Sequence, residues 1–273
     1  MNQLAEGQVD DWRKAIGRLE ERTEKLGTEQ LRRFALAVGS DFAVEETAPP
    51  LSHWAFFLPS PEDGSIDVDG HPRRGGFLPD ITLPRRMFAA SSMEFHAPLE
   101  LEVDARLVSR IADVSHKRGR SGDLVFVEVE RTIEQGGAVR VRERQSFVYR
   151  GEGEPAPLPD ALPAPLVGEL WMPGAVNLFR FSAATFNGHR IHYDLPYARD
   201  VERYPALVVH GPFTATKLAA LAMREGPLAR FSFRAMAPLF LGQPIYLRAA
   251  GDCAAEAVRC DGVVAMRAEF ARG

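Results

Sequence analysis

Cysteine is nearly absent from this chain: Cys253 and Cys260 are the only two among 273 residues. Two thiols build no disulfide framework, and neither sits in a metal-ligand spacing, so both are expected as reduced thiols of a cytoplasmic protein. Long apolar runs are missing as well. The stretch Trp54-Ala55-Phe56-Phe57-Leu58 is far shorter than the roughly 18 residues of a membrane-spanning helix, so no membrane partner is expected. Positive charge is not in excess either. Lys+Arg 33 against Asp+Glu 37 leaves a net charge of -4, which gives no global field to gather nucleic acid. Residues Met1 to Asp11 carry Glu6, Asp10 and Asp11 without an apolar centre, unlike a signal or transit peptide. No Gly-x-Ser-x-Gly elbow, phosphate-binding Gly-x-x-x-x-Gly-Lys loop or Gly-x-Gly-x-x-Gly after a strand is present, which argues against hydrolase, kinase and dehydrogenase chemistry.

What is present is the composition of a folded protein, 45% hydrophobic and 26% charged, in a length that suits one large domain or two modest ones. Pro155, Pro157, Pro159, Pro163 and Pro165 crowd one segment, removing backbone donors and favouring extended chain. This divides the sequence into residues 1–150, a linker 151–170 and residues 171–273, although a long surface loop within one domain would have the same composition.

Before the linker, Thr28 to Val38 reads as a short helix ended by Gly39, and Pro59 to Pro84, rich in Gly and Pro, reads as irregular. Alternation then dominates from Leu101 to Arg150: Val103, Ala105, Leu107 and Ile111, next Val125, Val127 and Val129, next Val139 and Val141. Gln135-Gly136-Gly137 predicts a hairpin between the last two runs. Arg140, Arg142 and Arg144 fall on one exposed strand face by the period of two.

After the linker, Thr214 to Glu225 is bounded by Gly211-Pro212 and Gly226-Pro227, which predicts one amphipathic helix. Strands are expected at Ala229 to Ala237, Gln243 to Ala250, Ala254 to Cys260 and Val263 to Ala271, the last hairpin turning at Asp261-Gly262. One helix followed by a strand meander outlines a hotdog domain. The first half has strands for a second copy without an obvious central helix, so the expected fold is α+β, a double hotdog with a degenerate N-terminal half.

Chemistry concentrates in Phe181 to Ala198 and Tyr204 to Pro212, where His189, His192 and His210 lie near Asn187 and Asp194. Titratable and amide side chains grouped around an Asn-Gly turn suit acid–base work. His192, Asp194 and Ala198, with Val209-His210-Gly211, resemble the hydratase motif and helix opening of the MaoC-like (R)-specific enoyl-CoA hydratases. The string Asn187 to Asp194, with Arg74-Gly75-Gly76-Phe77-Leu78-Pro79 and Leu83-Pro84-Arg85-Arg86-Met87, is closer to the subgroup of mitochondrial 3-hydroxyacyl-thioester dehydratases and bacterial mesaconyl-CoA and itaconyl-CoA hydratases.

The resemblance implies a hydro-lyase adding water to a short enoyl-CoA, with no cofactor beyond the coenzyme A of the substrate. Alternatives are a dehydratase acting on carrier-protein thioesters and a non-catalytic acyl-thioester binding module. The motif's catalytic Asp position holds Asn187, and an amide is no general base. His192 is therefore expected to move the proton, with Asn187 holding water and His189 as a second acid–base or orienting group. The Gly211 N–H at the helix start is expected to bind the thioester oxygen, because Pro212 offers none. Asp194 is expected to cap a local turn and His210 to support the helix entrance. Arg73, Arg74, Arg85 and Arg86 are candidates for coenzyme A phosphates or an acidic acyl group, or for a solvated charged loop. His189, His192 and Asp194 have a spacing that permits metal ligation, but nothing completes a shell, and no metal is expected. Hotdog sheets pair edge to edge, which makes a homodimer a possible assembly.

Overall fold

A computed structural model describes residues 4, 7–39, 46–119, 122–164 and 166–273. Glu6 and Pro165 lie outside the described residues. The first half contains α1 (Gln8–Arg13), β1 (Leu19–Lys25), α2 (Thr28–Val38), β2 (Thr47–Ala48), β3 (Arg85–Phe95), β4 (Leu99–Glu100), β5 (Asp104–Gly119), β6 (Gly122–Gln135) and β7 (Ala138–Arg150). The second contains β8 (Glu169–Trp171), α3 (Ala175–Ala184), α4 (Gly211–Ala222), β9 (Leu228–Ala235), β10 (Ile245–Ala249), β11 (Ala254–Arg259) and β12 (Val264–Arg272).

Ten of the strands form one continuous sheet in the order β1-β5-β6-β7-β3-β9-β12-β11-β10-β8, while β2 and β4 pair separately. Outward from the centre, each half repeats the same succession: its second strand, then its fifth, fourth, third and first. The halves join through antiparallel β3 and β9, with Ser92 opposite Ser232 at the centre of the register. Register shifts in β3, β5, β6 and β12 mark bulges of the kind that curl a sheet around helices. Gly136 and Gly137 both have positive φ, 58° and 78°, which is the turn that the β6–β7 hairpin requires.

Helix α4 is the wrapped helix of the second half. Phe213, Thr214, Ala215, Thr216, Leu218, Ala219 and Ala222 are all buried, so it meets apolar surroundings on most of its circumference. It begins at Gly211, earlier than the amphipathic pattern at Thr214 indicates, because Pro212 suits a first helical turn and interrupts no hydrogen bond there. The first half does have a counterpart. Helix α2 follows β1 and precedes β3, the place α4 holds in its own half, and ends at Gly39 with φ 63°. Its buried face of Leu31, Phe34 and Val38 packs with α3 and the turn Ser52–Ala55 more closely than with the strands. The apolar run from Trp54 to Phe57 fills the intervening space and is buried.

One apolar core runs through both halves, from Leu31 and Phe34 through Met93 and Phe231 to Leu218 and Ala257. A second gathers Trp12, Ile81, Leu83, Val125, Val127 and Tyr149 in the first half. The described residues of the proline-rich segment have no regular structure before β8, and Leu162 N–H donates to the Cys260 carbonyl at 3.0 Å. Cys260 is buried and Cys253 exposed, both as free thiols. No helix is long and apolar enough to cross a membrane, among the described residues.

Of strand β3, Ala90–Glu94 are the residues that pair with β9. Arg85 to Phe88 therefore extend beyond it, and there the irregular first-half loop meets the histidine-bearing turn of the second.

Candidate active site

His192 is buried and its Nδ1 lies 2.7 Å from the Val208 carbonyl. A carbonyl only accepts, so Nδ1 carries the hydrogen and Nε2 keeps a lone pair. Burial holds this imidazole well below its ordinary pKa, and the neighbouring His210 and His189 lower it further. His192 is thus a neutral ring with a basic nitrogen, suited to receive a proton from water.

His210 caps α4 and stacks on His192 with ring centroids 3.6 Å apart. Its Nε2 is 2.9 Å from the Ser182 hydroxyl of α3. Burial, then His189, lowers its pKa to about 3, so it supports the helix entrance as a neutral side chain. The first helical bond here runs from Thr214 N–H to the His210 carbonyl at 3.1 Å. The Gly211 and Phe213 amides thus lie ahead of the hydrogen-bond ladder, at the positive end of the helix dipole. A Cβ at Gly211 would sit 3.7 Å from the Phe88 carbonyl oxygen of β3.

His189 is buried with Nε2 3.1 Å from Glu202 Oε1, and its ring meets that of His192 edge-on at 5.5 Å. Glu202 Oε2 lies 4.0 Å from Arg85 Nε. Both are buried, and Arg85 Nη2 has no hydrogen-bond partner. Asn187 Oδ1 accepts the His189 backbone N–H at 3.0 Å. Its oxygen shapes the turn, leaving the amide NH2 as the group able to hold water. Asp194 caps the next turn, its Oδ1 accepting Tyr197 N–H at 3.1 Å while Oδ2 holds Arg190.

The first half supplies a pair that sequence reasoning missed. Asp69 accepts from His71 twice, from the backbone N–H at 2.8 Å and from ring Nδ1 at 3.0 Å. His71 stacks against His189 with centroids 4.1 Å apart. Burial pushes the His71 imidazole down to about 3, with Arg86 and His189 acting in the same direction and Asp69 opposing. Burial opposes ionisation of Asp69, but the His71 hydrogen bonds outweigh it and hold the carboxyl below the usual range. Loop and turn dock at two glycines. Any Cβ at Gly70, whose φ is 88°, would overlap the Gly188 carbonyl oxygen, and one at Gly188 would come within 2.6 Å of the Gly70 oxygen. Arg190 N–H donates to the Asp69 carbonyl at 2.9 Å, and Arg190 Nη1 to that of Val68 at 3.0 Å. The signal available in the sequence was the Asp-Gly-His string directly before the arginine motif.

The four arginines do not converge on one pocket. Arg74 satisfies the backbone carbonyls of Ile81, Leu83 and Pro84, and exposed Arg73 reaches only the Ile66 carbonyl, at 3.4 Å. Arg85 faces Glu202, whereas Arg86, opposite Tyr149 in the β3–β7 register, acts on His71. Nor do His189, His192 and Asp194 form a ligand set. The group whose donor atoms approach one another, within 4.8 Å among the described residues, is Asp69, His71 and His189, and both Asp69 oxygens already bind His71.

Residues 51–241 match the family model of hydroxyacyl-thioester dehydratase type 2. The chain belongs to this family. As a dehydratase-family member it is a hydro-lyase, and its fold is the double hotdog. A mesaconyl-C(4)-CoA hydratase of Chloroflexus aurantiacus is 42% identical over 96% of the chain and 98% of its own length. The mitochondrial hydroxyacyl-thioester dehydratase type 2 of Schizosaccharomyces pombe is 25% identical over 72% of the chain and 75% of its length. Among solved structures, HtdX of Mycobacterium tuberculosis superposes with a TM-score of 0.67 at 17% identity, covering 92% of this chain and 99% of that one. Another M. tuberculosis protein, described as a double hotdog, reaches 0.60 at 12% identity over 96% of both chains.

Proposed function

We propose that this dehydratase-family enzyme hydrates a short enoyl-CoA carrying a second carboxyl group, of the mesaconyl-C4-CoA or itaconyl-CoA type. The observation that carries the reading is the stack of His192 on His210, the residue that leads into the amides opening α4, which brings together a base and an anion-stabilising helix end, the two requirements for adding water to a thioester-conjugated double bond. Water loses a proton to His192 Nε2 as its oxygen bonds the β-carbon. The double-bond electron pair moves onto the thioester oxygen, where Gly211 N–H and the helix end stabilise the charge. The imidazolium then returns a proton to the α-carbon as the thioester re-forms. Water is consumed and no redox change occurs.

Support for an acidic acyl group comes from the 42% identity to a mesaconyl-C(4)-CoA hydratase, with Arg86, whose charge reaches His71, as the candidate cation. Similarity to the fission-yeast dehydratase favours a second reading, in which 3-hydroxyacyl thioesters lose water in the reverse direction. Rates on mesaconyl-C4-CoA, itaconyl-CoA, crotonyl-CoA and a 3-hydroxyacyl thioester separate the two. Turnover of the dicarboxylic substrates is expected to exceed that of crotonyl-CoA. Efficient crotonyl-CoA hydration with inertness toward both dicarboxylic substrates defeats the first reading.

A further inference from the structure

Three imidazoles meet at the join between the halves: burial favours the neutral form of His71 and His192, and His189 lies against the Glu202 carboxylate. His71 donates to Asp69, His189 to Glu202 and His192 to Val208. When one of them takes a proton from water, positive charge appears in a largely buried cluster whose members lower one another's basicity. An uncompensated charge there is costly. Asn187, at the carboxylate position of the motif, contributes none, so an anion must come from elsewhere.

Two carboxylates are in reach, and they are not equivalent. Glu202 lies between His189 and the buried Arg85 guanidinium, at 3.1 and 4.0 Å, so its charge is shared with a permanent cation. Among the described residues the ion-pair partner of Asp69 is His71. Its charge also reaches His189. The groups facing the Asp69–His71 pair are His189 and Arg190 of the turn, Arg86 and Tyr149 of the sheet, Tyr197 and the more distant His192.

Resting on the hydratase reading, we propose that Asp69, acting through His71, replaces the missing motif carboxylate: a positioning pair, delivered by the first half, that offsets the charge gained by the histidine cluster during proton transfer. The glycine contact between Gly70 and Gly188 and the Arg190 bonds hold the two loops in the register this requires. Asp69 stays ionised throughout, and the His71 Nδ1 proton stays between ring and carboxylate, so the proton balance of the hydration is unchanged.

The test uses the full-length protein, Asp69→Asn, Asn187→Asp and the double variant. Asparagine is nearly isosteric and keeps one of the two acceptor oxygens that His71 uses, and melting curves establish that each variant is folded. With mesaconyl-C4-CoA, Asp69→Asn is expected to lower kcat by about 100-fold or more with KM changed less than about threefold. Restoring a carboxylate with Asn187→Asp in that background should recover at least about tenfold. A kcat within about threefold of the unaltered protein overturns the proposal, as does a folded double variant without recovery. Imidazole nitrogen shifts followed from about pH 8 down to about pH 2.5, as far as the fold persists, report histidine protonation without turnover. Asp69→Asn should move the cluster's titrations to lower pH, and unchanged titrations overturn the proposal even if no substrate is turned over. Inactivity of the unaltered protein on every enoyl-CoA with those titrations shifted instead defeats the hydratase reading alone.

Discussion

The imidazole of His192 lies 3.6 Å, centroid to centroid, from that of His210, the two planes 19° from parallel. Two rings stacked this way do not both carry charge at little cost, since like charges in contact repel. His210 is 1% exposed and its Nδ1 has no partner, so nothing nearby is placed to accept a hydrogen from it. The stack is a device for keeping a base unprotonated beside a helix end.

That arrangement makes stability dependent on pH. His71 and His210 are depressed to about 3 and His192 lies well below its ordinary value, whereas in the unfolded chain each titrates near 6.5. The unfolded state therefore binds more protons below about pH 6.5, and stability falls as pH drops from there toward 3. The melting temperature should decrease by at least roughly 5 °C between pH 7.5 and 5. His210→Phe, which keeps an aromatic face without a titrating nitrogen, should flatten that slope. A melting temperature constant over the interval contradicts the assignment of neutral buried histidines.

His192→Ala should reduce kcat by about 100-fold or more on whichever enoyl-CoA is turned over best, with a smaller change in KM. Steady-state kinetics on the folded variant decides the matter. An undiminished rate removes His192 from proton transfer.

Glu143 of β7 is buried, accepting from Trp54 Nε1 at 3.1 Å and Ser91 Oγ at 2.9 Å, with Arg131 at 3.3 Å. Burial alone would raise its pKa, but His53 and Arg131 bring it down to about 2. Truncation to Ala would leave the donors and the Arg131 charge without their acceptor. Denaturant unfolding of Glu143→Ala should show a loss of about 3 kcal/mol, and a loss below about 1 kcal/mol would mean that the cluster reorganises at little cost.

The two halves should not separate cleanly at the proline segment. Residues 171–273 expressed alone expose the β9 edge that pairs with β3 and lose their share of the common core, a combination that promotes association through the open edge. Size-exclusion chromatography should find them aggregated or self-paired, and co-expression with residues 1–170 should restore a soluble complex. A stable monomer of the isolated half contradicts this.

The sequence made legible those features that depend on near neighbours. Val125, Val127 and Val129 announce a strand by alternation, Gly136-Gly137 a hairpin, and Gly211-Pro212 a helix opening. The turn around His189 and His192 was equally visible, because its residues are adjacent along the chain. Strands β1 and β3 were not, for different reasons. In β1, Leu-Glu-Glu-Arg-Thr-Glu-Lys is a charged sheet edge without an apolar face, as suits a strand that must not recruit another chain. In β3, the bulge between Phe88 and Ala90 breaks the alternation. Glu202, Asp69 and His71 escaped notice because they reach His189 through tertiary contact, and a chain with many carboxylates offers no local sign of which will arrive. The arginines misled for the converse reason: Arg74 shares a motif with its neighbours, yet its guanidinium holds a loop together.

The sheet is centred on Ser92 opposite Ser232, but the two sides of that centre no longer have equal duties. In a symmetric pair of identical subunits, any residue recruited to one pocket is forced upon the other, and a loop lengthened to reach across must be accommodated twice. Covalent joining lifts that constraint. Residues 46–84, on the path to β3, form an arm bearing Asp69 and His71 on one side of the sheet alone. The first half is a specialised one, and the tandem chain is what allows one histidine cluster to draw on two different surfaces.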